Sequence, residues 1–191
     1  MNFYELINHR QSDRKYDSSR PIPRDVIDRI INAARLAPSA TNSQPWHFIV
    51  VDEPELKSKV ASALTSTLTG NMNKFATEAS ALIVILEEPA NAMGKMGNLI
   101  LKKHFPHIDL GIAASHIVLA AAEEGIGSCI IGWVNEKKVR ELLDIPNKKA
   151  VPLVISLGYS LEEPKQKKRK ALGEISSYNG YQKSKLPNSD L

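Results

Sequence analysis

The chain alternates between stretches of helical periodicity and short continuous apolar runs. Phe3–His9 reads as a short helix with Asn2 as its N-cap, and Arg20-Pro21-Ile22-Pro23 breaks the chain after it. Val26, Ile27, Ile30, Ile31 and Ala34 then recur at helical spacing until Pro38, which predicts an amphipathic helix packed on a core. Trp46–Val51 predicts a strand, continuously apolar from Phe48. Asp52 is placed to cap the next helix, Pro54 suits its first turn, and Leu56, Val60, Ala63 and Leu64 mark its buried face.

The second half repeats the alternation. Residues 81–86 (ALIVIL) form a β-branched run that predicts a strand buried on both faces. Asp109 opens a helix to about Glu124 that is small and apolar nearly all round, so it is expected at the centre. Residues 128–133 predict another buried strand. Asn135 caps a short helix to Leu143, ended by Pro146, and residues 152–158 close with a further strand. Residues 89–107 read as a loop with a mobile helix, and residues 160–191 as a polar, extended arm that docks on something. Strands separated by helices, with helices in excess, give an α/β or α+β domain around one sheet.

Composition narrows the class. At 191 residues, 42% hydrophobic and 24% charged, the chain is an ordinary globular domain with enough apolar content for a core. The single cysteine, Cys129, excludes an internal disulfide and any multi-cysteine metal site. The N-terminus lacks a signal-peptide core, and the apolar run at 112–122 is short of a membrane span, so a cytoplasmic, membrane-free protein is expected. Of the net charge of +4, residues 162–191 carry +3, from seven Lys or Arg (165, 167–170, 183 and 185) against four acids. A basic arm on a nearly neutral body suits a phosphate-bearing ligand, a nucleic acid, a membrane surface or simply water.

Four stretches are candidates for chemistry. Arg10, Ser12 and Arg14 put two guanidiniums and a hydroxyl beside a helix end, an arrangement matched to phosphate, although such triplets are also common surface charge. Residues 38–48 (PSATNSQPWHF) crowd hydrogen-bonding groups into a Pro-framed path that suits a binding loop. Gly125-Ile126-Gly127-Ser128 reads as a turn, since no GxxxxGK phosphate loop exists in the chain. His104, His107 and Asp109 have ligand-like spacing, but Pro106 interrupts a helix and no further ligand stands nearby, so a surface loop and no metal are expected. His116 reads as a satisfied core histidine and Cys129 as inert packing. No GxSxG elbow is present.

In order and spacing, residues 9–16 (HRQSDRKY), 37–51 (APSATNSQPWHFIVV), 109–132 (DLGIAASHIVLAAAEEGIGSCIIG) and 167–175 (KKRKALGEI) resemble the FMN-dependent nitroreductase family over nearly the whole chain. The resemblance implies one domain over 1–191 with a three-layer α+β fold. A central mixed sheet is flanked by helices, and the 160–191 arm is exchanged across a homodimer holding two FMN molecules. It implies flavin contacts from Arg10, Gln11, Ser12 and Arg14, with Arg10 and Ser12 at the phosphate and ribityl end and Arg14 at the pyrimidine edge. Lys167 and Arg169 match C-terminal phosphate contacts. The same resemblance implies that Pro38, Ser39, Ala40 and Asn42 come from the partner subunit, that backbone N–H groups near Ile131 and Gly132 face flavin N5, and that Asn73 and Lys74 approach the ring.

The activity implied is ping-pong hydride transfer from NADH or NADPH through FMN to a nitroaromatic, quinone or related acceptor. No side-chain acid or base is needed; a fixed cation, Arg14 and with it Lys74, stabilises charge at the pyrimidine edge. Enone reduction, dehalogenation and flavin storage are the alternatives on the same cofactor. A nucleic-acid binder lacks an RNA-binding motif or aromatic platform, so no nucleic-acid partner is expected.

Overall fold

The computed structural model describes residues 1–65 and 71–181, with Asn98 through its backbone only. Helix α1, Phe3–His9, begins in a capping box. Asn2 Oδ1 accepts the Glu5 N–H at 3.0 Å, and Glu5 Oε2 accepts the Asn2 N–H at 2.9 Å. Helix α2, Arg24–Arg35, buries Ile27, Ile30 and Ala34, one face at helical spacing. Strand β1, Trp46–Val51, has the predicted bounds. Helix α3, Pro54–Ser62, is capped by Glu53 and not by Asp52. Pro54 at the first helical position makes Glu53 the N-cap, and its carboxylate accepts the Glu55 and Leu56 N–H groups at 3.0 and 2.6 Å. Asp52 instead takes a two-pronged ion pair from Arg24, at 2.7 and 3.0 Å.

Strand β2, Ala81–Glu87, is followed by helix α4, Ala92–Leu101, where a loop with a mobile helix was expected. Helix α5, Phe105–Glu123, starts ahead of Asp109, because Pro106 lies in its first turn, where a missing N–H costs nothing. At 19 residues α5 is long and apolar enough to cross a membrane, unlike the run read from sequence; half of it is buried within the protein. Strand β3, Gly127–Ile131, stops short of Trp133. Helix α6, Glu136–Leu142, is capped by Asn135, and strand β4, Leu153–Gly158, completes the sheet.

The strand order is β1-β2-β4-β3. All three ladders are antiparallel: Ile83 sits opposite Val50 on one side and Ile155 on the other, and Ile130 sits opposite Ile155. Among the described residues, the mixed character expected of the sheet appears in one parallel bridge, Ser12 to Ser128, outside the four strands. Along β2 the side chains divide between two layers. Leu82, Val84 and Leu86 pack with Val60 of α3, Leu64 just after it and Val139 of α6. Ala81, Ile83 and Ile85 pack with Ile27, Ile30, Leu110 and Ile117 from α2 and α5. Period-two alternation in a strand covered on both faces produces this three-layer arrangement.

Beyond Ser160 the arm runs mostly extended, with one short helix, α7, Leu172–Ile175. Leu172, Ile175, Tyr178 and Tyr181 are 66–90% exposed, so within this chain the end of the arm has no core to bury them.

Candidate functional site

The segment after α1 is held at the edge of β3 by Asp13, which is 4% exposed. Its backbone N–H donates to Ser128 O at 2.9 Å, and its Oδ2 accepts the Ser128 N–H at 3.1 Å. Its Oδ1 accepts the Ser160 hydroxyl at 2.6 Å and the Gln11 amide at 3.0 Å. Gly127 makes room for this carboxylate: a Cβ there would stand 2.9 Å from Asp13 Oδ2 and 2.9 Å from Ser160 Cβ. Gly125, at φ +72°, supplies the left-handed turn that feeds β3. The Gly-Ile-Gly stretch therefore serves as a turn, and also as a notch for Asp13.

Gln11 faces the arm. Its amide donates to Asp13 and to Glu163 O at 3.3 Å, while Oε1 accepts the Lys165 N–H at 2.9 Å. The Arg14 N–H donates to Glu162 Oε2 at 2.7 Å. Burial opposes the Glu162 charge, but hydrogen bonds from Lys165 and from the Arg14 N–H hold its carboxyl below the usual range. The Arg14 side chain is exposed and makes no ion pair among the described residues.

These contacts bring the basic arm to α1. The Lys167 ammonium donates to Ile7 O at 2.7 Å and also to Arg10 O, at the end of α1. An ammonium has three donors, so one remains. Desolvation, then the positive charges of Arg10 and Arg169, push Lys167 below its ordinary value. None of these three cations forms an ion pair with an acid among the described residues. Two sets more than 150 residues apart in sequence thus meet as one cationic cluster. A dianion relieves the repulsion within it.

The 38–44 loop is a second, separately built structure. Thr41, Asn42 and Gln44 have φ of 53°, 51° and 47°, three left-handed non-glycine residues within four positions. The surroundings hold them there. Ser39 Oγ accepts the Gln44 N–H at 2.9 Å, and Asn42 Oδ1 accepts the Gln44 amide at 3.1 Å. Asn91 Nδ2 donates to Thr41 O at 2.9 Å, and Asp109 Oδ1 accepts the Ala40 N–H at 3.0 Å. Asp109 is 3% exposed. Ala40 and Thr41 border an apolar cavity of about 380 Å³ with Met93, Met96, Ile100 and Phe105; Pro38 is exposed. The Arg10 segment borders Ala122 at the other end of α5. At 1.5 Å per residue, Asp109 and Ala122 stand roughly 20 Å apart along the helix axis.

Asn73 is buried, its amide donating to Leu64 O at 3.0 Å, so it holds backbone; Lys74 beside it is exposed. Ile131 ends β3 buried opposite Val154, and Gly132, where the chain leaves the ladder, is exposed. Cys129 is buried, and desolvation raises its thiol above the ordinary value, with Arg14 opposing. The positively charged Lys183 and Lys185 lie outside the described residues. Sequence reasoning missed Asp13, Asn91 and Asp109 as organisers. For Asp13 a signal existed, a lone acid inside the basic HRQSDRK run, since such a charge in a folded chain demands partners.

The chain is thus an α+β protein whose strained loop and cationic cluster flank one central helix. The Nitroreductase family matches over residues 7–159, and the chain belongs to that family. It is 29% identical to the oxygen-insensitive NADPH nitroreductase of Helicobacter pylori, covering 87% of this chain and 91% of that one. The solved FMN-dependent nitroreductase of Clostridium difficile R20291 superposes with a TM-score of 0.75 at 31% identity, covering 94% of this chain and all of the other. The NADPH:FMN oxidoreductase of Vibrio harveyi, solved with NAD+, superposes at 0.77 with 25% identity, covering 95% and 79%.

Proposed function

We propose that this chain is an FMN-dependent oxidoreductase that takes reducing equivalents from NAD(P)H and delivers them, in a ping-pong cycle, to nitroaromatic, quinone or related electrophilic acceptors. Family membership and the names of its relatives support NAD(P)H-dependent oxidoreduction with FMN. The observation that carries the reading to these residues is the unpaired cluster of Arg10, Lys167 and Arg169. It fits a terminal phosphate: two guanidinium forks and one free ammonium proton that form no ion pair with an acid among the described residues.

When bound, FMN supplies hydride acceptance and donation at its N5 position. The residues of the chain bind and orient. Arg10, Lys167 and Arg169 take the phosphate, with Ser12 beside them. Arg14, a cation without an ion pair, is available to the pyrimidine edge, where a fixed positive charge stabilises negative charge without reorganising. Gln11, beside its expected flavin contact, fastens the arm that delivers Lys167. Asn73 also holds backbone through its amide, and the exposed Lys74 beside it is the cation of that pair available to the ring.

Pro38, Ser39, Ala40 and Asn42 act in trans, closing the pocket of the partner in a homodimer. The separation of roughly 20 Å between loop and cationic cluster along α5 supports this division. So do the exposed Leu172, Ile175, Tyr178 and Tyr181 of the arm, which a second copy would cover.

Heat release of the cofactor with chromatographic identification, followed by NAD(P)H oxidation against nitroaromatic, quinone, enone and halogenated acceptors, tests the reading. FMN and turnover with a nitroaromatic or quinone are expected. Recovery of FAD, or no flavin after reconstitution, overturns it; turnover confined to enones or halogenated substrates replaces the acceptor class.

A further inference from the structure

Glu87 ends β2, with its N–H donating to Ala150 O at 3.1 Å, and its carboxylate is 18% exposed. His104 is the N-cap residue of α5, and His107 stands three residues on, in its first turn. Residues three apart on a helix share a face. Both rings turn the same nitrogen toward the one carboxylate: His104 Nε2 is 2.8 Å from Glu87 Oε1, and His107 Nε2 is 3.0 Å from Oε2. The donor atoms of all three lie within 4.8 Å of one another. The sequence showed only the two histidines and Asp109. Asp109 points instead at the 38–44 loop, and the missing carboxylate comes from a strand that ends 17 positions earlier.

We propose that Glu87, His104 and His107 form a binding site for a divalent transition-metal ion, zinc being the probe of choice. Two imidazoles and one carboxylate are three ligands of the types zinc takes, and water completes the tetrahedron. Bonds of about 2.0–2.1 Å set ligand atoms roughly 3.3 Å apart in a tetrahedron, so the His104 and His107 nitrogens move away from the carboxylate by roughly 0.5 and 0.3 Å. The supports are a sheet strand and a helix start fixed by Pro106, which pre-organises the donors and lowers the ordering cost. Glu87 also borders an open groove of about 370 Å³, room for water ligands. The positive end of the α5 dipole opposes a cation, and the Glu87 charge offsets it.

The consequence is mechanical. Phe105 lies between the two histidines, and with Ile100 and Leu101 it walls the apolar cavity beside Ala40 and Thr41. A bound ion fastens the α4–α5 corner to the end of β2 and stiffens that wall.

The test uses untagged, flavin-loaded protein freed of metal by chelation. Equilibrium dialysis with zinc, and visible spectra with cobalt(II) as its reporter, are measured for the native chain and for His107→Ala, Glu87→Gln and His47→Ala. His104 and His107 are 51% and 62% exposed, so their substitution spares the core. One zinc per chain at micromolar affinity, a tetrahedral cobalt band, and at least tenfold weaker binding in His107→Ala and Glu87→Gln support the site. Slower proteolysis within residues 92–107 on zinc addition supports the clamp. Binding only at millimolar zinc, retention in His107→Ala, or loss in His47→Ala instead overturns it.

Discussion

Asp13→Asn separates the hydrogen-bonding role of this residue from its volume. In the native chain Oδ1 accepts from Ser160 and Gln11, and Oδ2 accepts from the Ser128 N–H. An asparagine has one oxygen and one NH2 group. With the amide nitrogen in the Oδ2 position, it faces the Ser128 N–H, donor against donor. With the nitrogen in the Oδ1 position, it satisfies the Ser160 hydroxyl as acceptor but confronts the Gln11 amide. Either way at least one charge-assisted bond is lost, worth roughly 1.5–3 kcal/mol, and a buried donor is left unmatched. The other bonds weaken with loss of the charge, so the expected destabilisation is roughly 2–4 kcal/mol. The assay is urea unfolding at fixed protein concentration, since association would shift the midpoint. Because Asp13, Gln11 and Glu162 fasten the arm, cleavage beyond Ser160 by a trace protease is expected to accelerate. A change within about 0.5 kcal/mol, the range of an ordinary surface position, with an unaltered cleavage rate, would refute the reasoning.

Arg10→Ala, and separately Lys167→Ala, should each weaken FMN binding to the apoprotein by about one to two decades at low salt, read by flavin fluorescence titration. Arg169→Ala should act in the same direction but less, since its guanidinium is exposed and also bonded to Lys168 O; unchanged affinity in all three variants would remove the cluster from the phosphate site. Cys129 is buried with its thiol raised above the ordinary value, so it should resist alkylation at pH 8 in the native state and react on denaturation. Equal rates in both states would contradict that burial.

Local signals were sufficient for several elements because their causes are local. The capping box of α1 needs only Asn2 and Glu5, and the apolar run at Trp46–Val51 forms a strand wherever it pairs. The covering of β2 on both faces followed from six consecutive apolar residues, and the two basic sets stood out as clustered charge, with the phosphate reading of Lys167 and Arg169 carried by the family resemblance. The family motifs carried the rest of the site reading, as order and spacing.

What folding decided were choices between equally local options. Asp52 and Glu53 both stand before α3; only the approach of Arg24 from another helix assigns one to an ion pair and leaves the other as the cap. That the arm would reach both ends of the Gln11 amide was likewise set by folding. The meeting of Arg10 with Lys167, the seating of Asp13 against Gly127, and the delivery of Glu87 to His104 and His107 each join residues distant in sequence. Periodicity reports which face of an element is buried. It carries no record of which distant side chain a buried charge will find, because that partner is fixed by the packing of the layers and by the cost of leaving the charge without one.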